Sequence, residues 1–238
     1  HPNVEVSDAY EATLEPGKSW EMDYTPFGLT GTNSAQLEFS TVPPLNLGQR
    51  LEYLIGYPHG CLEQTTSAAF PQLFLPDLVK MSENKKKKVE FNIRAAISRL
   101  QRFQTSSGAF GYWPGDQYPS EWGSNYAGHF LLEAEAKGYH VSSNVLENWK
   151  KFQRERALNY TPRYDRNYYY NDDLMQANRI YTLALAKAPE VGAMNRLKEQ
   201  DNLSTAARWR LAAAYQLAGQ PEVAAQMVKG LSTEIKPY

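Results

Sequence analysis

At 238 residues, 42% of them hydrophobic, the chain can bury one large core, alone or with a small appendage, and disorder is not expected of it. Its 25 Lys and Arg nearly cancel its 26 Asp and Glu, so no overall field draws it to nucleic acid or to an anionic membrane. The one cysteine, Cys61, excludes an internal disulfide and a zinc site built on several thiolates; no metal and no cofactor are expected.

No run approaches the roughly 20 apolar residues that cross a bilayer. The chain opens on His1-Pro2 rather than on a Met and a basic, then apolar, leader, which is the look of an excised or processed piece. From Val4 to Thr41 the apolar residues alternate, as Val4 and Val6, Ala12 and Leu14, Trp20, Met22 and Tyr24, Leu37 and Phe39, which is a strand period. Pro16-Gly17 has the order of a type II turn, so Tyr10 to Tyr24 is predicted to be a hairpin. Two or three strands cannot close a core, so residues 1–43 read as a segment of a neighbouring β-domain.

After Val42-Pro43-Pro44 the period turns helical and stays so from about Leu47 to the C-terminus. Val89, Ile93, Ala96, Ile97, Leu100 and Phe103 mark one face of a helix with Asn84 as its cap, and Lys85 to Lys88 read as a solvated opening. The stretch from Ser106 to Gly128 is crowded with Gly, Pro and aromatics, including Tyr112, Trp113, Trp122 and Tyr126, and is predicted to be a loop folded onto a core or a site. Behind Asn171, Asp172 and Asp173, and following the Tyr168-Tyr169-Tyr170 cluster, Leu174, Ala177, Tyr181, Ala184, Leu185 and Ala188 repeat helical spacing. Ala206, Trp209, Ala213 and Leu217 set out the inward face of another helix that stops at Gly219. Pro221 opens the next, with Ala224, Met227, Val228 and Leu231 inward. Many helices joined by short turns imply a bundle, a solenoid or a closed toroid.

The chemistry lies in Tyr57-Pro58-His59-Gly60-Cys61-Leu62-Glu63-Gln64-Thr65-Thr66-Ser67. Pro58 and Gly60 force a tight entry, and the apolar positions after Cys61 continue as a helix. Cys61 therefore stands at a helix N-terminus, where unpaired N–H groups and the dipole favour a thiolate. Gln64, three residues on, lies on the same face. The sulfur can attack its side-chain amide carbon, expel ammonia and leave an internal thioester. Water destroys such an acylating agent unless the site is dry, which makes Tyr57, Tyr112, Trp113 and Trp122 candidates to shield it; ordinary core packing is the competing reading for each.

At these residues the chain resembles the alpha-2-macroglobulin and complement family, whose thioester domains carry a Gly-Cys-Gly/Leu-Glu-Gln signature. Cys-Leu-Glu-Gln-Thr-Thr-Ser, Pro43-Pro44-Leu45 leading to Leu51-Glu52-Tyr53-Leu54, and the Gly-Ala-Phe-Gly-Tyr-Trp-Pro-Gly loop are similar to the bacterial branch. The resemblance spans roughly residues 42–238. It implies a mainly α chain: an α/α toroid thioester domain over 44–238, truncated by a helix pair at Tyr238, preceded by the β segment 1–43 of a macroglobulin or CUB-like domain. It implies a thioester between Cys61 and Gln64 supported by Tyr57, Pro58, Gly60 and Glu63. The implied function is broad-spectrum protease inhibition, not enzymatic turnover. A protease cuts a bait region elsewhere in the full protein, the remaining macroglobulin domains rearrange, and a lysine amine of the protease is acylated by Gln64. A periplasmic or cell-surface lipoprotein is implied, with no membrane insertion by this stretch. In relatives that prefer hydroxyl acceptors a toroid His carries the acyl group; the corresponding stretch, near Tyr169 to Asp173, has no His, so amines are the expected acceptors. His129 and His59 are the nearby histidines able to upset that expectation.

Two other function classes fit parts of the sequence. A Cys hydrolase or acyltransferase would pair Cys61 with His59, His129 or His140, but needs one of them within hydrogen-bond reach. A helical repeat or toroid without covalent chemistry is the other. In its glycan-active form it needs two carboxylates across a cleft, drawn from Glu121, Asp116, Asp172 and Asp173.

Overall fold

The computed structural model describes residues 6, 8–26, 28–35, 37, 39, 51, 53–162 and 172–232. The chain divides into two compact units, residues 1–45 and 46–238. In the first, the predicted turn forms: the Lys18 N–H donates to the Glu15 carbonyl at 3.0 Å, and Gly17 takes the positive φ, 76°, that a type II turn asks of its third residue. The strands expected beside it are not found among the described residues, where Val6, Tyr10, Leu14, Trp20, Met22 and Tyr24 are all exposed. A lone hairpin has too little apolar surface to hold its ladder in water. The Val42-Pro43-Pro44 boundary and the Tyr168-Tyr169-Tyr170 cluster lie outside the described residues.

The second unit is helical. Its elements are α1 (Leu62–Ala69), a 3₁₀ turn (Pro71–Leu73), α2 (Leu75–Leu78), α3 (Glu83–Gln101), α4 (Glu121–Ala136), α5 (Ser143–Leu158), α6 (Asp172–Leu185), α7 (Val191–Lys198), α8 (Thr205–Leu217) and α9 (Pro221–Val228). Beyond Leu100 the described backbone pairs in β fashion only at one antiparallel bridge, between Gln104 and Phe110. None of the described helices is long and apolar enough to cross a membrane.

The α3 face is the predicted one, with Val89, Ile93, Ala96, Ile97 and Leu100 buried, Phe103 buried just past its end and Lys85 to Lys88 exposed. Its cap is Ser82, two residues before the expected Asn84; Ser82 Oγ accepts from the Lys85 N–H at 3.4 Å. The aromatic stretch is shorter than predicted. Ser120 Oγ accepts from the Gly123 N–H at 3.1 Å and starts α4 there, so Trp122 and Tyr126 stand on a helix rather than in a loop. On α8 the predicted face is reversed: Trp209 and Leu217 are exposed, and Ala207, Leu211, Ala214 and Tyr215 are buried. The helix is apolar nearly all round and packs closely against α6, with Leu211 and Tyr215 in the buried cluster and the indole outside it.

The buried side chains form two clusters, one gathered by α1, α3, α4 and α5 and the other by α6, α7, α8 and α9. Trp149 of α5 ties the first cluster to the aromatic loop. It is fully buried, its indole N–H donates to the Ser124 carbonyl at 2.8 Å, and Ser124 Oγ accepts from the Phe110 N–H at 2.8 Å. The indole lies so close to α4 that a Cβ on Gly128 would stand 2.1 Å from Trp149 Cε2. Gly128→Ala is therefore expected to destabilise the protein by about 1–3 kcal/mol through overpacking. Gly192→Ala, on α7 with no atom within 4 Å of its Cβ, should be neutral or gain up to about 1 kcal/mol of helix propensity. Urea unfolding of the two variants beside the parent checks both signs.

Candidate functional site

Cys61 is the N-cap of α1, with φ −73° and ψ 178°, and it is only 4% exposed. The entry is set by Gly60, whose φ of 92° is open to glycine and strained for other residues. Gln64, at the third position of the helix, folds its side chain back over this turn. Its Oε1 accepts from the Cys61 N–H at 3.1 Å, while the Cys61 sulfur faces the Gln64 N–H, as in a capping box. The carboxamide lies in space that only glycine leaves: a Cβ on Gly60 would stand 2.0 Å from Gln64 Oε1 and 2.9 Å from its Cδ. The sulfur and the side-chain carbonyl carbon it would attack thus share one turn, with the sulfur on the buried side and Gln64 on the exposed side.

The aromatic loop closes the same turn. The Leu62 N–H, which no helix can satisfy from within, donates to the Tyr112 carbonyl at 3.0 Å. The loop itself is held by Gly111 N–H to Phe103 carbonyl (2.8 Å), Ser120 N–H to Phe110 carbonyl (2.8 Å) and Trp113 N–H to Asp116 Oδ2 (2.7 Å). The Tyr112 hydroxyl donates to Glu63 Oε2 at 3.3 Å. The neighbouring Cys61 foremost, then loss of solvent and the Glu63 carboxylate, push its pKa up to about 12, so Tyr112 keeps its proton throughout the physiological range.

Among curated relatives, alpha-2-macroglobulin of Escherichia coli (strain K12) is 32% identical over 163 residues, which cover 63% of this chain and 9% of that protein. The family model of the A-macroglobulin TED domain matches residues 38–156. The chain belongs to the bacterial alpha-2-macroglobulin family. Salmonella alpha-2-macroglobulin reacted with methylamine is 27% identical, with a TM-score of 0.65 over 79% of this chain and 13% of that one. Trypsin-activated alpha-2-macroglobulin from Escherichia coli shares the fold, with a TM-score of 0.64 at 24% identity over 73% of this chain and 13% of its own. The helices of residues 62–228 thus follow the toroid-like TED domain of this family, and the chain spans about a tenth of the length of the full-length relatives it matches.

Several residues that shape this site carry no local sequence signal. Arg99 of α3 donates through Nη2 to the Gly60 carbonyl at 3.0 Å and through Nε to Thr65 Oγ1 at 3.3 Å, fixing the turn from behind. Gln72 and Asn92, both buried, hold the Gly56 carbonyl at 2.8 and 3.1 Å and each other at 3.0 Å, so the strand of chain entering at Tyr57 is pinned to the core. Pro58 is buried, and Glu63 is exposed.

The expected shielding aromatics are all open to solvent. Tyr57 is 51% exposed and pairs with Phe91 of α3; Trp113 is 52% exposed and meets Tyr112 edge-on. Trp122 is 43% exposed and pairs with Tyr126, which also contacts Phe70. His59 and His140 are exposed. His129 meets Phe70 and Tyr181 edge-on and hydrogen-bonds Glu133 at 3.3 Å. Phe70 closes the far end of α1, roughly 13 Å along the axis from Cys61 at about 1.5 Å per residue. His129 thus sits by the far end of α1, away from the sulfur.

Two expectations follow. Gly60→Ala combines a left-handed backbone with a clash on Gln64, and should cost about 2–3 kcal/mol. Gly115→Ala, with φ 87° but no atom within 4 Å, should show only the backbone strain, so the difference in their urea midpoints measures the hold on the carboxamide. His129 is held below its ordinary 6.5 mainly by burial and also by Arg210, against the opposing pull of Glu133. The unfolded chain binds that proton more readily, so this contribution to stability is present above about pH 6.5 and is lost as pH falls from there toward the folded value. His129→Phe should remove this acid-side slope, seen as a smaller fall in urea midpoint between about pH 7.5 and about pH 5.

Proposed function

We propose that this chain is the thioester domain of a protease-trapping alpha-2-macroglobulin, in which Cys61 and Gln64 form an internal thioester that acylates an amine of an attacking protease. The observation that carries the reading is the Gln64 carboxamide folded into the space above Gly60, against the backbone of a helix-capping cysteine. In formation, Cys61 Sγ bonds to Gln64 Cδ, the Cδ–N bond breaks, and ammonia leaves. In trapping, the amine nitrogen bonds to Cδ and the Cδ–Sγ bond breaks with its electron pair on sulfur. The proton lost by nitrogen reaches the sulfur through solvent, giving an amide and a free thiol. The Cys61 N–H, 3.1 Å from Oε1, donates to the atom on which charge grows as the carbonyl carbon becomes tetrahedral. The first turn of α1 favours the thiolate that leaves.

The other readings lose their residues. A cysteine hydrolase needs a base at the sulfur, and His129 is engaged by Glu133, Phe70 and Tyr181 at the other end of α1. A glycan-cleaving site needs free carboxylates, but Glu121 pairs with Arg179 (2.7 Å) and Arg156 (3.0 Å), Asp116 accepts from Trp113 N–H, and Asp173 accepts from Ser204 N–H at 2.7 Å. Amines rather than alcohols are the acceptors, because an uncharged amine attacks a thioester readily, whereas an alcohol needs a base. Structural relatives described as reacted with methylamine and as activated by trypsin support both halves of the proposal. The full protein then supplies the bait region and further macroglobulin domains, at a periplasmic or cell-surface site with a lipid anchor.

The test uses the full protein. Before activation its mass should fall short by one ammonia and Cys61 should resist iodoacetamide. Activation by a protease with methylamine and glycerol both present should release one thiol and attach methylamine to Gln64. A thiol free from the start in the full protein would overturn the thioester; a glycerol ester lost in His129→Ala would overturn the amine preference.

A further inference from the structure

The proposed reaction puts negative charge on Gln64 Oε1 as the carbonyl carbon becomes tetrahedral, and the Cys61 N–H that meets it belongs to a peptide unit whose other end is held by Arg99. We infer that Arg99 is a positioning residue for this reaction: it sets and polarises the Gly60–Cys61 peptide so that the Cys61 N–H stays aimed at Gln64 Oε1. This rests on the thioester reading.

The link is covalent and planar. The Gly60 carbonyl and the Cys61 N–H are the two ends of one trans peptide unit, so they point in opposite directions. Arg99 Nη2 donates to the carbonyl at 3.0 Å, and the N–H donates to Gln64 Oε1 at 3.1 Å. The Gln64 carboxamide here stands in for the thioester carbonyl, whose oxygen is the same atom. Turning the peptide unit about its long axis breaks both bonds at once. Such a restraint is needed at this position, because Gly60, with φ 92° and no Cβ, leaves the unit freer to turn than another residue would.

The guanidinium is in turn fixed to the helix that bears the acyl group. Its Nε donates to Thr65 Oγ1 at 3.3 Å, and Thr65 is fully buried beside Gln64 in α1. The guanidinium carbon also stands 5.8 Å from the ring centroid of Phe103, another fully buried residue. Two N–H groups of one rigid plane thus span the entry peptide and the helix, which a lysine, a point charge on a flexible stem, cannot do. A cation on the peptide oxygen also draws electron density from the nitrogen and makes the N–H a stronger donor, as neighbours in a chain of hydrogen bonds polarise one another. No bond is made or broken at Arg99 and no proton leaves it, so the atom balance of formation and trapping is unchanged. Because the same oxygen carries charge when the sulfur first attacks the amide, Arg99 assists formation as well as opening.

The experiment uses Arg99→Gln and Arg99→Lys in the full protein, with two readouts. One is the rate at which methylamine releases the thiol, followed with a disulfide dye. The other is the infrared stretch of the thioester carbonyl, isolated as the difference between spectra before and after methylamine; a weaker donor on that oxygen raises its frequency. Arg99→Gln should release its thiol about 10-fold more slowly, a part of the roughly 100-fold or more that complete loss of such a donor costs, and its band should move up. Arg99→Lys, which keeps the charge and a donor for the Gly60 carbonyl but not the fork, should fall between Arg99→Gln and the parent in both readouts. A general loosening of the fold would lower the urea midpoint and leave the band where it was. Slower release with an unmoved band would therefore overturn the inference, as would a parent-like rate and band in both variants. Should Arg99→Gln form no thioester, Arg99→Lys decides by the same band and rate. A parent protein that shows no thioester band and releases no thiol would instead overturn the thioester reading beneath it.

Discussion

The constraint on which the site depends is the set of backbone N–H groups at the first turn of α1 that a helix cannot satisfy from within. Three of them are met by groups that also shape the chemistry. The Leu62 N–H takes the Tyr112 carbonyl, which draws in the aromatic loop. The Cys61 N–H takes Gln64 Oε1, and the Gln64 N–H faces the Cys61 sulfur. In the proposed thioester, capping and reaction geometry are thus the same interaction. A residue able to cap but not to react, such as serine in place of Cys61, would keep much of the turn and none of the thiol chemistry.

Leu62 anchors that turn in the core, and the rest of its support comes from distant parts of the chain. Gly60 contributes nothing but absence, and Gln64 is polar and exposed. Rigidity has to come from behind, through Arg99 on the Gly60 carbonyl and through the buried Gln72 and Asn92 pair on Gly56. Buried amides of this sort are tolerable only when their hydrogen-bonding groups find partners, and here the carbonyls of an irregular entry segment provide them. On the other side, Trp149, Ser124 and Phe110 carry the same function for the aromatic loop, so the two walls of the site are fixed to different helices of one core.

The local part of this was legible in the sequence, and the distant part was not. Pro58, Gly60, Cys61 and Gln64 lie within one turn, where spacing alone fixes the geometry, and the α3 face follows from a clean helical period. Arg99 and Tyr112 act across 39 and 49 residues, distances over which a single sequence has no register. The errors have the same origin. Trp122 and Tyr126 sit in a stretch whose composition is that of the loop before it, and Ser120 as a cap was the signal against that reading. On α8, where apolar residues surround the helix, packing against α6 decides the face, and periodicity carries no information about that. The alternation before residue 43 is real, but a strand pattern without a partner strand has nothing to pair with among the described residues.

The position of Cys61 carries an intrinsic conflict. In the proposed thioester, whatever makes the sulfur a better leaving group makes the bond more reactive toward water as well as toward an amine. Nothing in the first turn of α1 distinguishes the two nucleophiles. Cys61 is buried, but Gln64, the acyl side, faces outward, and Tyr57, Trp113 and Trp122 are each half exposed. A carbonyl carbon on that face is open to whatever reaches it. In the proposed thioester, reactivity belongs to this domain, whereas the lifetime of the bond depends on what excludes water from the Gln64 face. A trap that fires only on demand requires this separation: the domain that reacts cannot also be the one that decides when.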